Sequence, residues 1–248
     1  NLGAGFSEQF VAHASQLIKV PDTITDAEAV LIEPASVSLH AVLRRPPAAG
    51  EKVLVIGAGT IGLNVIQFAR AVCPQATIYV LERIPFKKDL ARRLGADAVL
   101  EGDPYDAAAK ATGAKVYRGP LKNTTMLGGF DLIYDCVGHS ATVHDSLRWL
   151  KARGTSVMIG NQLSPITVDQ TPLWNQELTL LGVNSHGMET FEGRQLSSFS
   201  LAMEMIAKRR ISLEGFITHR FRLDDYQAAC RRALEKPGQV IKVVFGMG

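Results

Sequence analysis

Apolar positions along this chain come in two rhythms. Short, mainly apolar runs occupy residues 53–56, 77–81, 98–100, 130–138, 155–159 and 178–183, the fourth with Asp131 and Asp135 inside it. Between them lie stretches at 63–71, 87–94 and 140–150 in which apolar residues recur at helical spacing. Mainly apolar runs bounded by turn residues read as strands buried on both faces, and their alternation with amphipathic helices predicts a doubly wound parallel α/β sheet. A polar region spans residues 102–129 and is read as a long connection. Upstream, Gly3 to Val11 reads as a glycine-bounded strand, Val20-Pro21-Asp22 as a turn, and Thr25-Asp26-Ala27-Glu28 as a helix start with early acids. The last quarter changes rhythm: helix 195–208, strand 216–223, helix 224–235 and strand 240–245 read as part of a second domain.

One strand-to-helix junction carries chemistry. The run Val53-Leu54-Val55-Ile56 leads into Gly57-x-Gly59-x-x-Gly62, and strand 77–81 ends in Glu82. That carboxylate follows Gly62 by about 20 residues, the spacing of the dinucleotide fingerprint. Gly57 permits the tight turn, and Gly59 lets backbone approach a pyrophosphate without a Cβ in the way. Gly62 allows close packing of helix on strand, and the first-turn N–H groups at Thr60, Ile61 and Gly62 favour a phosphate. Glu82 is expected to accept from an adenosine ribose diol and to repel the extra phosphate of NADP, which points to NAD. Arg83 beside it is a cation that tolerates that phosphate.

Composition narrows the class. A net charge of +3 on 21% charged residues, with bases interleaved among acids, does not form the basic stripe of a nucleic-acid binder. No apolar run is long enough to span a membrane and no signal peptide opens the chain. Cys73, Cys136 and Cys230 are too scattered for a disulfide framework or zinc cluster, so a reducing, cytoplasmic setting is expected. The opening at Asn1, directly in a strand-like stretch, reads as one part of a longer chain.

Several segments in fixed order resemble the medium-chain, zinc-type alcohol and polyol dehydrogenases, in particular the sorbitol and threonine dehydrogenase branch. They are residues 5–11, residues 33–42 beginning Glu33-Pro34-Ala35-Ser36, the glycine run at 53–62, Asp135-Cys136-Val137-Gly138, and residues 217–226. The resemblance implies a Rossmann domain at 35–184, the end of a GroES-like catalytic domain at 1–34, and a return segment to that domain at 185–248. It implies NAD and zinc as cofactors, a small alcohol or polyol as substrate, and a homodimer or tetramer paired through the Rossmann domain. The edge strand for that pairing is expected at 178–183. Glu33 stands where polyol dehydrogenases have a zinc-facing carboxylate; the plainer reading is a helix-start or domain-hinge carboxylate. No Cys precedes Cys73 and no Gly-His-Glu occurs, so the other metal ligands of the family are not found in this sequence. The expectation is therefore a chain that binds dinucleotide without turning over an alcohol.

Ligands of open α/β sheets sit beyond the carboxyl ends of strands. Val137, Gly138 and His139 are accordingly expected along the middle of the cofactor, and Ile159, Gly160 and Asn161 by the nicotinamide ribose. Val183, Asn184 and Ser185 are expected by the carboxamide. Lys242 matches a position that often holds a pyrophosphate-binding cation in the family; a solvent-facing strand lysine is the alternative. His40 is read as packing or capping, His13 and His219 as structural, and His186, like His139, as a residue near the cleft. Residues 115–122 are read as a surface loop longer than the family's. Two other functions stay open, a non-catalytic dinucleotide-sensing module and a zinc-free quinone-reductase-like enzyme, the latter disfavoured by Glu33.

Overall fold

Val53, Leu54, Val55 and Ile56 are all removed from water in the computed structural model, which describes residues 5–120, 123–235 and 237–247. Their side chains alternate between two separate apolar cores: Val53 and Val55 enter one, Leu54 and Ile56 the other. That alternation follows from the two-residue period of a strand. Burying each such side chain contributes roughly 2 kcal/mol, so a sheet covered on both sides selects unbroken apolar runs.

The strand carrying them, β1 (Lys52–Ile56), lies at the centre of a six-stranded sheet. Its neighbours are β2 (Thr77–Leu81), then β3 (Ala98–Val99), on one side. An antiparallel hairpin of β4 (Lys115–Arg118) and β5 (Thr124–Leu127) intervenes in sequence. On the other side follow β6 (Phe130–Asp135), β7 (Leu150–Met158) and β8 (Thr179–Gly182). The order β3-β2-β1-β6-β7-β8, parallel throughout, is that of a Rossmann sheet, with its switch of direction between β1 and β6. Because all six strands run the same way, their carboxyl ends share one edge.

After α1 (Asp26–Ala29), whose Thr25–Glu28 capping box matches the predicted start, α2 (Ile32–Arg44) packs on α3 (Thr60–Val72). α4 (Pro85–Arg93), α5 (Pro104–Thr112), α6 (Ser140–Trp149) and the short α7 (Thr171–Asn175) supply the other crossovers. The antiparallel β9 (Met188–Phe191) and β10 (Arg194–Ser197) lead into α8 (Ser198–Ala207), which packs on α2. A parallel pair, β11 (Ile217–Arg222) and β12 (Lys242–Gly246), joined through α9 (Tyr226–Glu235), completes the described chain.

Some expectations are corrected. Residues 5–11 form no strand; Val11 is 87% exposed and has no partner strand to cover it, while Gly3 and Ala4 lie outside the described residues. His13, read as structural, caps a 3-10 turn by accepting from the Ser15 amide. The polar region 102–129 is not one connection: it contains α5 and the β4–β5 hairpin. Alanines at 107, 108, 109 and 111 build a helix face shallow enough to pack without large side chains, and Met126 is buried beneath the hairpin. Of residues 115–122, the first four are therefore strand, and Leu121 and Lys122 lie outside the described residues. Helix 195–208 starts later, at Ser198, where the Ser197 hydroxyl caps the Ser200 amide.

His40, expected only to pack or cap, reaches across the fold. Its Nδ1 lies 2.6 Å from Oε1 of Glu189, which is 6% exposed, so the β9–β10 hairpin is tied to α2. Removing the imidazole leaves the nearly buried Glu189 carboxylate without this hydrogen bond. His40→Ala is expected to destabilise the chain by about 1–3 kcal/mol, read as a lowered thermal midpoint; an unchanged midpoint would show that the pair holds nothing.

Tyr134 is wholly buried in β6 and donates its hydroxyl proton to the Arg45 carbonyl at 2.6 Å. Burial pushes its phenol pKa well above the usual value, and burial does the same to Tyr105 and Cys136. The folded chain thus holds these protons more tightly than the unfolded one. For the tyrosines the resulting stability is complete below the unfolded phenol value of about 10 and drains away as pH rises past it. Melting curves from pH 8 to 11 should show that decline, with a shallower slope in Tyr134→Phe.

Candidate functional site

The glycine run forms a turn whose shape depends on missing side chains. Gly57 continues the sheet by donating to Leu81 O at 2.9 Å and then takes φ +86°, where a Cβ would meet Val137 Cγ2 at 2.6 Å. A Cβ on Gly62 would lie 1.8 Å from the Gly57 carbonyl oxygen. The role predicted for Gly62 is refined: its close approach is to the turn itself more than to the strand. Around Gly59 a Cβ would meet nothing within 4 Å, so that side of the turn is open. The first helical bond of α3 is Leu63 N–H to Gly59 O at 3.0 Å. The amides of Thr60, Ile61 and Gly62 precede it and, as in any first helical turn, lack intrahelical acceptors. An open face with three such donors at the positive end of a helix is the arrangement that favours an anion.

Neighbouring elements hold this end of α3. The Ser38 hydroxyl, in α2, shares its proton between Pro34 O at 2.8 Å and Ile61 O at 3.2 Å. Thr60 Oγ1 donates to Ile241 O at 3.0 Å, bringing the start of β12 against the helix. Lys242 is the next residue. Its side chain lines a groove with Phe6, Cys230 and Phe245, outside the main cleft.

At the end of β6, Asp135 organises the second turn. It is fully buried; Oδ1 accepts from the Val137 and Gly138 amides at 2.9 and 3.0 Å, and Oδ2 from Thr142 Oγ1 at 2.8 Å. Its carbonyl accepts from Ile159 N and Gly160 N at 2.9 and 3.0 Å, locking the ends of β6 and β7 together. Gly138, at φ +75°, and Gly160 touch so closely that a Cβ on Gly138 would lie 2.4 Å from Gly160 O. Asp135 was not among the expected site residues; the available signal was a carboxylate closing the strand directly after the apolar run Leu132-Ile133-Tyr134.

A cleft of about 690 Å³ opens along this edge, lined by Gly57, Glu82, Arg83, Val137, His139 and Thr142, with Lys88 paired to Glu101 at 2.6 Å on its far wall. Glu82 sits at the end of β2 as expected, yet its oxygens already accept from the Ala58, Arg83 and Ile84 amides. Ile159, Gly160 and Asn161 follow β7, and the exposed Asn184 follows β8 along the same edge. His186 stacks edge-on to Phe199 and hydrogen-bonds Ser185. His219 accepts from Arg232 Nε at 2.8 Å.

The zinc-binding dehydrogenase family model matches residues 60–199, more than half of the chain. The chain belongs to this family. It is 30% identical to L-idonate 5-dehydrogenase of Vitis vinifera, over 96% of this chain and 61% of that protein. It therefore spans about 61% of that relative's length. A short chain alcohol dehydrogenase from Escherichia coli CFT073, complexed with NADH, superposes with TM-score 0.75 at 22% identity, covering 94% of this chain and 63% of the other. A putative zinc-binding dehydrogenase from Sinorhizobium meliloti, bound to NADP, superposes with TM-score 0.67 at 27% identity, covering 86% and 57%.

The residues present fit a dinucleotide better than they fit zinc. Among the described residues no group of three His, Cys, Asp or Glu side chains could hold a metal ion. Glu33 is exposed in the first turn of α2 and contributes a single carboxylate. Cys73 is buried, Cys136 half-buried and Cys230 exposed, with no metal-binding partner set among the described residues.

The glycine contacts make a direct prediction. In Gly62→Ala the new methyl must push backbone at Gly57, which is not a flexible neighbour. Stability should fall by about 1–3 kcal/mol, and affinity for ADP should drop with it; calorimetric titration and a melt on the same sample check both.

Proposed function

We propose that this chain binds NAD across the carboxyl edge of its six-stranded sheet. It would serve as the coenzyme-binding part of an NAD-dependent, zinc-type dehydrogenase acting on a secondary alcohol or polyol. The observation that carries the reading is the open glycine turn, with the unpaired first-turn amides of α3 on one side and the Glu82 carboxylate on the other. In this reading the pyrophosphate lies on Thr60, Ile61 and Gly62, and the adenosine half lies in the cleft between Glu82 and Thr142. The chain then runs past Val137, Gly138 and His139 to Ile159, Gly160 and Asn161, with Asn184 by the carboxamide. Nicotinamide supplies the hydride acceptor. The protein's share is to fix its orientation and, through the packed Gly138–Gly160 contact, to exclude water beside it.

Lys242 belongs to the reading as a cation whose backbone is brought beside the start of α3 by the Thr60–Ile241 hydrogen bond. Glu33 stands as the one carboxylate the described residues would bring toward a metal. The domain division at residues 34 and 184 is part of the same proposal. So is self-association through β8, whose outer edge pairs with no other described strand and whose Leu180 borders an apolar groove of about 460 Å³ with Leu147, Met158 and Leu173. No described helix is long and apolar enough to cross a membrane, which is compatible with the proposed cytoplasmic setting.

Titration with NAD and NADP tests the core of this. NAD should bind more tightly, because the Glu82 charge opposes a phosphate on the ribose, with Arg83 limiting the ratio to about tenfold. Equal affinity, or none for either, would overturn the reading. Given zinc ion, NAD and a polyol, this chain alone should produce no NADH absorbance; measurable turnover would contradict the division of labour proposed.

A further inference from the structure

Glu82 does more at this edge than face a ribose. Ala58, at the tip of the glycine turn, is completely buried, so its amide cannot turn to water and needs an acceptor within the protein. That acceptor is Glu82 Oε2, at 2.9 Å. The other oxygen, Oε1, accepts from Arg83 N at 2.6 Å and Ile84 N at 2.9 Å, which pins the carboxylate to its own strand end. Nothing presses on the turn from the Gly59 side, where a Cβ would find open space. On the inner side the turn is held by Gly57 N–H on Leu81 O, by the contact of Gly62 with the Gly57 carbonyl, and by this carboxylate.

Resting on the dinucleotide reading, we infer that Glu82 is a positioning residue for the phosphate-binding turn. Its carboxylate latches the tip of the turn to the end of β2, so the amides of α3 face the pyrophosphate before any ligand arrives. A carboxylate has about four acceptor positions. Three are used by backbone amides, and what remains serves the ribose diol. One residue therefore has two separable duties. An amide in its place satisfies one side only. Its single oxygen is drawn to the two donors of Arg83 and Ile84, because the opposite turn would strand two amides instead of one, and this sets its NH2 against the Ala58 N–H.

The two duties part company with a ligand that has phosphates and no diol. ADP and 2′,3′-dideoxy-ADP are titrated against the wild-type chain and Glu82→Gln, and exchange of the Ala58 amide is followed by NMR in both. The latch requires that Glu82→Gln weaken the dideoxy ligand by about tenfold, the scale of losing one charge-assisted hydrogen bond. It also requires Ala58 to be protected from exchange in the wild type and exposed in the variant. An unchanged affinity for the dideoxy ligand, with only ADP weakened, would mean that Glu82 serves the diol alone and would overturn the inference. So would an Ala58 amide that exchanges freely in the wild type, a readout that stands even if the variant fails to fold. Failure of wild-type ADP binding would sink the dinucleotide reading instead, and the exchange measurement would still decide the latch.

Discussion

Backbone meets backbone at the carboxyl edge of this sheet more closely than any side chain allows. Gly62 lies against the Gly57 carbonyl, and Gly138 lies against Gly160, at separations where a Cβ would fall at 1.8 and 2.4 Å. Those two contacts set the angle at which α3 leaves β1 and the distance between the ends of β6 and β7. The cleft, its wall of amides and its opening toward solvent follow from them. Close packing is usually described for apolar side chains, but here it is the absence of side chains that brings polar backbone into range of a ligand.

Such turns bury amides that regular structure would have paired, and carboxylates take up the debt. Asp135 holds two amides and a hydroxyl at the end of β6, and Glu82 holds three amides at the end of β2. Both are carboxyl groups with several donors converging on them, the arrangement that makes the burial of such a group tolerable. Further out, neutral hydroxyls do similar work: Ser38 joins α2 to α3, and Thr60 joins α3 to the segment before β12. The His40–Glu189 pair adds a third tie, between α2 and the β9–β10 hairpin. The edge is thus braced from three elements distant in sequence, while its ligand-facing side stays open.

The central strands β1 and β2 were legible from their apolar runs to within a residue, since a strand buried on two faces leaves little room for polar positions. By contrast β7, expected at 155–159, begins at Leu150, and β6, expected to reach 138, ends at Asp135. Strand 77–81 and helix 140–150 fall where expected, and the doubly wound sheet with them. The segment 102–129 hid a helix and a hairpin because α5 packs through alanines and, among the described residues of the hairpin, only Met126 is deeply buried. Weak burial leaves weak periodicity. The stretch 5–11 misled for the opposite reason: a glycine-bounded segment holding Phe6, Phe10 and Val11 reads as a strand with side chains to cover, and here all three are exposed.

By itself the sequence determined what local chemistry determines: the parallel strands, the turn that only glycines can make, and a carboxylate at the spacing of a dinucleotide site. Family membership was legible too, because several short segments keep a fixed order. The tertiary structure decided which groups are already spoken for. It showed that Glu82 answers three amides before any ribose, that Asp135 is a brace, and that His40 has a partner 149 residues away. No pattern in the chain announces these pairings. A hydrogen bond's worth depends on burial and on the partner's distance, and both exist only once the chain has folded.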